Sequence, residues 1–260
     1  MGSDAALAHR VEEACLKGWP ALQQIWFDGW LLRFAEGHTR RANSVNPSRP
    51  SRRGLREKIA YCEAAYRAQG LPVIFRISAL AEHGLDERLG ALGYGAREDE
   101  TCVVYRRLAA GGELTGNDAY VAENAPSEQW LEAHACCTGN GETVQRVQRR
   151  ILQALSVPAV FTAARGEEGR LASLAFGAVH DKLVCINLVV TDPALRRRGL
   201  ARRAVTAVLT WARDQAGADG ACLAVVADNL PARALYRQLG FDTELYRYHY
   251  RHRAVPPDTL

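Results

Sequence analysis

The sequence predicts an α/β protein built as two tandem units of one sheet-and-helix pattern, and three observations predict it. The first is a strand that runs through a tight basic turn into an amphipathic helix, over 187–212. The second is a short capped helix, 229–241, which ends on a glycine–aromatic pair between an apolar strand at 221–227 and a strand-like run at 244–251. The third is a weak repeat of both elements nearer the N-terminus, at an offset of 145–147 residues.

The strand–turn–helix element reads Val190-Thr191-Asp192-Pro193-Ala194-Leu195-Arg196-Arg197-Arg198-Gly199-Leu200-Ala201. At a helix start the first backbone N–H groups have no intrahelical acceptor, and the macrodipole adds roughly +0.5 charge, so such a turn cradles an anion. Gly199 and Ala201 keep that backbone uncovered. Val205, Val208, Leu209 and Ala212 then recur at three- and four-residue spacing, which turns one helix face inward and leaves Arg202 and Arg203 near the mouth.

In the second element Asn229 supplies the helix start signal and Gly240 the stop, with Ala232 and Tyr236 on the same face as Asn229. Together the two segments resemble the GNAT superfamily of N-acetyltransferases. Its acetyl-CoA signature is Arg/Gln-x-x-Gly-x-Gly/Ala, followed by an Asn-x-x-Ala-x-x-x-Tyr-x-x-x-Gly-Phe helix. Arg196, Gly199 and Ala201 match the first part; Asn229, Ala232, Tyr236, Gly240 and Phe241 match the second. The resemblance covers 118–252, about half the chain.

The resemblance implies acetyl transfer from acetyl-CoA, a cosubstrate, to a primary amine by direct attack in a ternary complex. The run Asn187-Leu188-Val189-Val190-Thr191 looks like the strand that splays from its neighbour in that family, so the backbone around Val189, Val190 and Thr191 would take the pantetheine amides and the acetyl carbonyl. The turn Arg196, Arg197, Arg198, Gly199, Leu200, Ala201 and Arg202 would take the diphosphate. Asn229, Ala232 and Tyr236 would line the pantetheine channel, with Tyr236 as general acid, since a phenol of pKa about 10 is protonated at neutral pH. The base is less defined. Family members are thought to use a glutamate on the strand before the turn, but 182–190 contains no carboxylate. Glu142, in a polar loop where the family forms part of its acceptor site, is the leading candidate, with His134 and His180 as alternatives.

In the repeat, Arg52-Arg53-Gly54-Leu55 parallels Arg197-Arg198-Gly199-Leu200, Tyr66 parallels Trp211, and Ala91-Leu92-Gly93-Tyr94 parallels Gln238-Leu239-Gly240-Phe241. The copies differ where chemistry is expected. Arg196 corresponds to Ser51, Ala201 to Arg56, Asn229 to Glu82 and Tyr236 to Leu89. The expected organisation is a degenerate copy at 1–108, a Gly-rich linker at 109–117 and a catalytic copy at 118–260.

Composition fits a globular enzyme: 260 residues, 48% apolar and 24% charged, with a net charge of only +4. Neither a basic stripe with aromatic platforms nor a nucleic-acid recognition motif is present, and no apolar run is long enough to span a bilayer. A cytoplasmic enzyme without nucleic-acid or membrane partners is expected, and the resemblance allows a homodimer. The seven cysteines show no zinc-type spacing, so no metal is expected and small buried thiols are the ordinary reading. The expected acceptor is a small-molecule amine: an amino acid derivative, a polyamine or an aminoglycoside-type amino sugar. Glu98, Asp99, Glu100 and Glu142 are carboxylates available to a polycation. A non-catalytic acyl-CoA or amine-binding module and a protein N-acetyltransferase are the alternatives.

Overall fold

A computed structural model of the chain describes residues 2–49, 52–109, 120–166 and 169–253, so the linker, apart from Ala109, and Ser51 lie outside the described residues. The elements in order are α1 (Gly2–Gly18), β1 (Gln23–Phe27), β2 (Trp30–Phe34), β3 (Val45–Pro47), α2 (Leu55–Ala68), β4 (Ile74–Ser78), α3 (Leu85–Ala91), β5 (Glu98–Arg107), β6 (Tyr120–Glu123), α4 (Glu128–Thr138), α5 (Glu142–Gln153), β7 (Ala159–Arg165), β8 (Leu171–His180), β9 (Leu183–Thr191), α6 (Leu200–Asp214), β10 (Gly220–Val226), α7 (Leu230–Gln238) and β11 (Thr243–His252). They gather into two compact units, the larger made of Met1–Pro20, Val103–Val225 and Asn229–Leu245, and the smaller of Ala21–Cys102, Val226–Asp228 and Tyr246–Leu260.

In the larger unit the strand order is β5-β10-β9-β8-β7-β6. Strands β6 to β9 are antiparallel neighbours, and β10 runs parallel to β9 after the α6 crossover. Successive strand residues face opposite ways, so Phe176 and Gly177 serve different layers. Phe176 stacks on Phe161 at 5.2 Å and meets Trp19 just after α1, while Phe161 meets Trp130 of α4 edge-on at 5.3 Å. Gly177 lies under α6, where any Cβ would collide with Val208. A buried Thr162 hydroxyl donates to the Ala204 carbonyl of α6 at 2.8 Å.

The smaller unit orders its strands β1-β2-β3-β4-β11. The β1–β2 turn is the dipeptide Asp28-Gly29 with φ of 43° and 81°, the left-handed pair that a two-residue hairpin requires. In the second hairpin, β2–β3, the loop is held by Asn43, which accepts from the N–H groups of Ala35 and Gly37 and donates to the carbonyls of His38 and Thr39. Trp30, Phe34, Tyr66, Phe75 and Tyr94 form the core beneath α2 and α3. Tyr246, Tyr248 and Tyr250 alternate along β11, where all three are buried and the strand pairs antiparallel with β4.

Two copies of the pattern are present, β1β2β3α2β4α3β5 and β7β8β9α6β10α7β11, and their helix ends match bond for bond. Tyr94 N–H donates to Leu89 O and Phe241 N–H to Tyr236 O, after left-handed glycines at 93 and 240 (φ 84° and 80°). Compactness and sequence copy divide the chain differently, however. The expected segments 1–108 and 118–260 are runs of sequence, whereas helix α1 packs on β8 and β9 of the larger unit and residues 246–252 complete the smaller one beside β4. A strand left at a sheet edge carries unpaired N–H and C=O groups, and each unit covers that edge with a strand the chain supplies from elsewhere.

Candidate active site

The larger unit carries a fork. Parallel pairing of β9 with β10 runs from Leu183↔Gly220 to Ile186↔Leu223, while β9 continues to Thr191 and β10 to Val226. On the other side of β9 the register with β8 slips: Phe176 faces Asn187 but Leu174 faces Val190, so β9 contains one extra residue. Leu188 takes φ of 49° to accommodate it. A bulge at this point turns backbone groups out of the ladder and re-aims the strand. Residues Leu188, Val189, Val190 and Thr191 are half-buried, in contrast to the buried strand behind them. Ser173 fixes the far end, its hydroxyl donating to Val190 O and pairing with the Thr191 hydroxyl, both at 2.8 Å.

The basic turn follows. Asp192 caps a single helical turn at Pro193–Leu195 by accepting from Ala194 N–H at 2.9 Å. Arg196 is extended, and Arg197 and Gly199 are left-handed at φ 64° and 77°. Residues that alternate hand in this way point successive N–H groups into one concavity, a nest for an anion. A Cβ at Gly199 would meet nothing within 4 Å, so the approach is open. Arg196, Arg197, Arg198 and Gly199 are exposed, while Leu200 is buried against Ala164 and Ala172 and anchors the start of α6. Ala201 is half-buried, and Arg202 donates to the Gln238 side chain at 3.0 Å, joining the start of α6 to the end of α7.

Asn229 caps α7, its Oδ1 accepting from Ala232 N–H at 3.2 Å, which commits the oxygen and leaves the amide nitrogen as donor. Tyr236 is 8% exposed and meets Phe241 edge-on at 6.0 Å. Its hydroxyl makes no hydrogen bond to another described residue, and burial pushes its pKa up to about 12, so it holds its proton across the physiological range. A cavity of about 210 Å³ lies beside it, lined by Val225, Arg233, Asp242 and Glu244 among others. A larger cavity of about 380 Å³ does not touch Tyr236; Glu132, Cys137, Arg170, Asp192 and Leu195 are on its wall.

The base candidates are scattered. Glu142 is the exposed first residue of α5 and lines neither cavity. His134 is buried, stacked on Trp130 at 5.5 Å and 3.1 Å from Gln148 Nε2, the position of a packed core histidine. His180 faces Glu13 of α1 at 3.9 Å. In the smaller unit Glu98 and Asp99 pair with Arg40 at 2.8 and 3.0 Å, and Glu100 with Arg247 at 2.9 Å, so these carboxylates already have guanidinium partners.

Three features of the larger unit escaped the sequence: the bulge at Leu188, the Ser173 clamp, and a convergence of the Cys15, Cys185 and Cys222 thiols. Hydrogen bonding among these thiols, together with burial, raises the pKa of Cys15 and Cys222 well above the ordinary thiol value.

Residues 6–254 match a family model described as "Probable histone acetyltransferase Rv0428c C-terminal". The chain belongs to this family of GNAT acetyltransferases. As a GNAT protein it is an acetyl-CoA-dependent N-acetyltransferase, and relatives along its whole length agree. It is 27% identical over 244 residues to the "Uncharacterized N-acetyltransferase YobR" of Bacillus subtilis, covering 93% of this chain and 97% of that one. Among solved structures, a GCN5-related N-acetyltransferase from Kribbella flavida superimposes with a TM-score of 0.66 at 16% identity, over 98% of this chain and 97% of that one. A tandem GNAT protein from the clavulanic acid biosynthesis pathway gives 0.62 at 17% identity, over 88% and 79%. No helix among the described residues is long and apolar enough to cross a membrane.

Proposed function

We propose that the 118–260 copy of this GNAT enzyme moves the acetyl group of acetyl-CoA to a primary amine of a small molecule by direct attack, and that the 1–108 copy has lost catalysis. The observation that carries the reading is the fork: a bulged β9 parting from β10, with the anion nest of Arg197 and Gly199 at its end and a proton-bearing tyrosine on the adjoining helix. Backbone groups of Val189, Val190 and Thr191 orient the pantetheine arm and the thioester carbonyl. The nest and the first turn of α6, with Arg196, Arg198 and Arg202 around it, hold the diphosphate. Fit is supported by the open space at Gly199, where a side chain would otherwise cover the N–H groups.

The amine attacks the carbonyl carbon; the C–S bond breaks, and Tyr236 protonates the departing thiolate. A thiol pKa near 8.5 lies below that of Tyr236, so this transfer runs uphill and is drawn only by the charge developing on sulfur; the proton that the attacking amine gives up to the base restores the phenol, and charge balances over the turnover. Glu142 is the proposed base, acting through water. The two cavities support a small acceptor: they are of small-molecule order, and Glu132 and Asp192 on the wall of the larger suit a cation.

A protein lysine or N-terminus is the second reading, favoured by the histone acetyltransferase description of the matched family. The deciding experiment is release of CoA thiol from acetyl-CoA over amino acids, polyamines, aminoglycosides and lysine peptides, including a histone tail. Saturable turnover confined to one small-amine class is the expected result. Turnover with peptides alone would move the assignment to protein acetylation.

A further inference from the structure

Three cysteines from distant parts of the chain meet inside the larger unit: Cys15 on α1, Cys185 on β9 and Cys222 on β10. All three are buried, and their Sγ atoms lie within 4.8 Å of one another, with Cys15 and Cys185 3.6 Å apart. Cys185 and Cys222 are register partners across the parallel pair, one step before the last pair, Ile186↔Leu223. Their spacing suits thiolates around a shared ion. With metal–sulfur bonds of about 2.3 Å, sulfurs in tetrahedral or trigonal array sit roughly 3.8–4.0 Å apart, whereas a disulfide brings them to about 2.05 Å.

A second observation points to the same place. Asn187, two residues beyond Cys185, places Nδ2 3.5 Å from the Cys185 sulfur and donates to the Gly18 and Cys185 carbonyls at 3.3 Å. Its Oδ1 is buried with no hydrogen-bond partner. Nδ2 has two hydrogens for these three acceptors, so one is shared between a carbonyl and the sulfur; an amide N–H shared with a coordinating sulfur is how outer-shell groups support a thiolate, and an orphaned buried oxygen costs free energy unless something donates to it.

We propose that Cys15, Cys185 and Cys222 form a structural site for a thiophilic divalent cation, Zn²⁺, with Asn187 as its outer-shell partner. The residue types select the ion. Three sulfurs without carboxylate or imidazole among them favour soft d¹⁰ ions over Mg²⁺, Ca²⁺ or Mn²⁺. Charge then separates the soft ions, since three thiolates with Zn²⁺ leave a net −1 in the buried site and with Cu⁺ leave −2, and burying the larger charge costs more. A donor on a metal-bound water would give Asn187 Oδ1 the hydrogen bond it lacks. The ion would tie α1 to both arms of the fork immediately below the point where they part.

The test uses the full chain, tag-free and purified without chelators from zinc-supplemented cells. Elemental analysis is expected to find one zinc per chain, retained in Cys136→Ser, whose thiol is exposed, and absent from Cys185→Ser. Stripping under mild denaturation and refolding with Cd²⁺ is expected to give the thiolate-to-cadmium charge-transfer band of three sulfurs and a higher melting temperature than refolding without metal. Zinc-free wild-type protein with no cadmium band would overturn the site and leave the cluster as apolar packing. So would zinc that persists in the Cys15→Ala, Cys185→Ala, Cys222→Ala triple variant. The cadmium measurement needs no variant, so a misfolded substitution cannot blur the outcome.

Discussion

The two Arg-Arg-Gly-Leu turns share a sequence and do different things with their backbone. In the smaller unit the Asp28 carboxylate accepts from Arg53 N–H at 2.8 Å and from Arg52 N–H at 3.0 Å, and Gly54 sits at an ordinary φ of −64°. The turn at 197–200 takes two left-handed residues and lies open. A carboxylate from the chain itself thus occupies, in the first turn, the kind of position that the second offers to an external anion. Lys58 reinforces the plug: fully buried, it lies 3.8 Å from the Trp30 ring centre, donates to Asp28 O at 2.8 Å and stands 3.7 Å from the carboxylate. The copy proposed to lack the ligand site thus carries an internal salt bridge at this turn, and only one residue of that bridge belongs to the motif's own helix.

The contrast can be broken from either side. Asp28→Asn keeps a turn-forming residue but removes the carboxylate that acts most strongly on the buried Lys58 ammonium, with Glu82 the next acid in its field. Taking the nearest carboxylate from such a cation is expected to lower the denaturation midpoint, and adding Lys58→Met to recover most of the loss. The N–H bond from Arg53 first, then that from Arg52 and the Lys58 charge, hold the Asp28 carboxyl below the usual range. Its contribution is therefore present above the unfolded value of about 3.9 and lost as pH falls through the folded one. Wild type and Asp28→Asn should converge in stability in acid; a gap that persists there would remove the charge from the explanation.

On the catalytic side, Tyr236→Phe is expected to lower kcat about 100-fold with CoA affinity nearly unchanged, measured by thiol release and calorimetry. Because Leu89 holds the corresponding place in the other copy, Leu89→Tyr should restore nothing. The same substitution in the two turns gives the smallest and sharpest comparison. Gly199→Ser forces a side chain into left-handed backbone at about 1–2 kcal/mol and should weaken CoA binding severalfold. Gly54→Ser meets no such strain, places a good capping residue before α2 and should leave stability equal or raise it by a few tenths of a kcal/mol. Equal effects at the two glycines would mean that the turns do not differ in function.

What could be read from sequence was local. Asn229 and Gly240 announce α7, Gly199 announces the nest, and Gly93 and Gly240 announce matching helix ends, because each such signal acts within a few residues. The bulge at Leu188 had no such marker, since leucine is an unusual residue for φ of 49° and only the register with β8 reveals it. The Asp28 plug and the three-thiol cluster were invisible for another reason. Their partners are 24 and more residues apart, and only the sheet topology brings them together. Glu142 shows the reverse limit: polarity and position nominated it, and the fold sets it on an exposed helix start.

The traded strands also bear on ancestry. Residues 103–107 of the first copy belong to the larger unit and residues 246–252 of the second to the smaller. Neither copy, cut out as its own gene, would carry all the residues of one compact body, so recombination cannot discard either half. The half proposed to lack catalysis would then be retained by inheritance for its scaffold, which makes its persistence no proof of a second reaction.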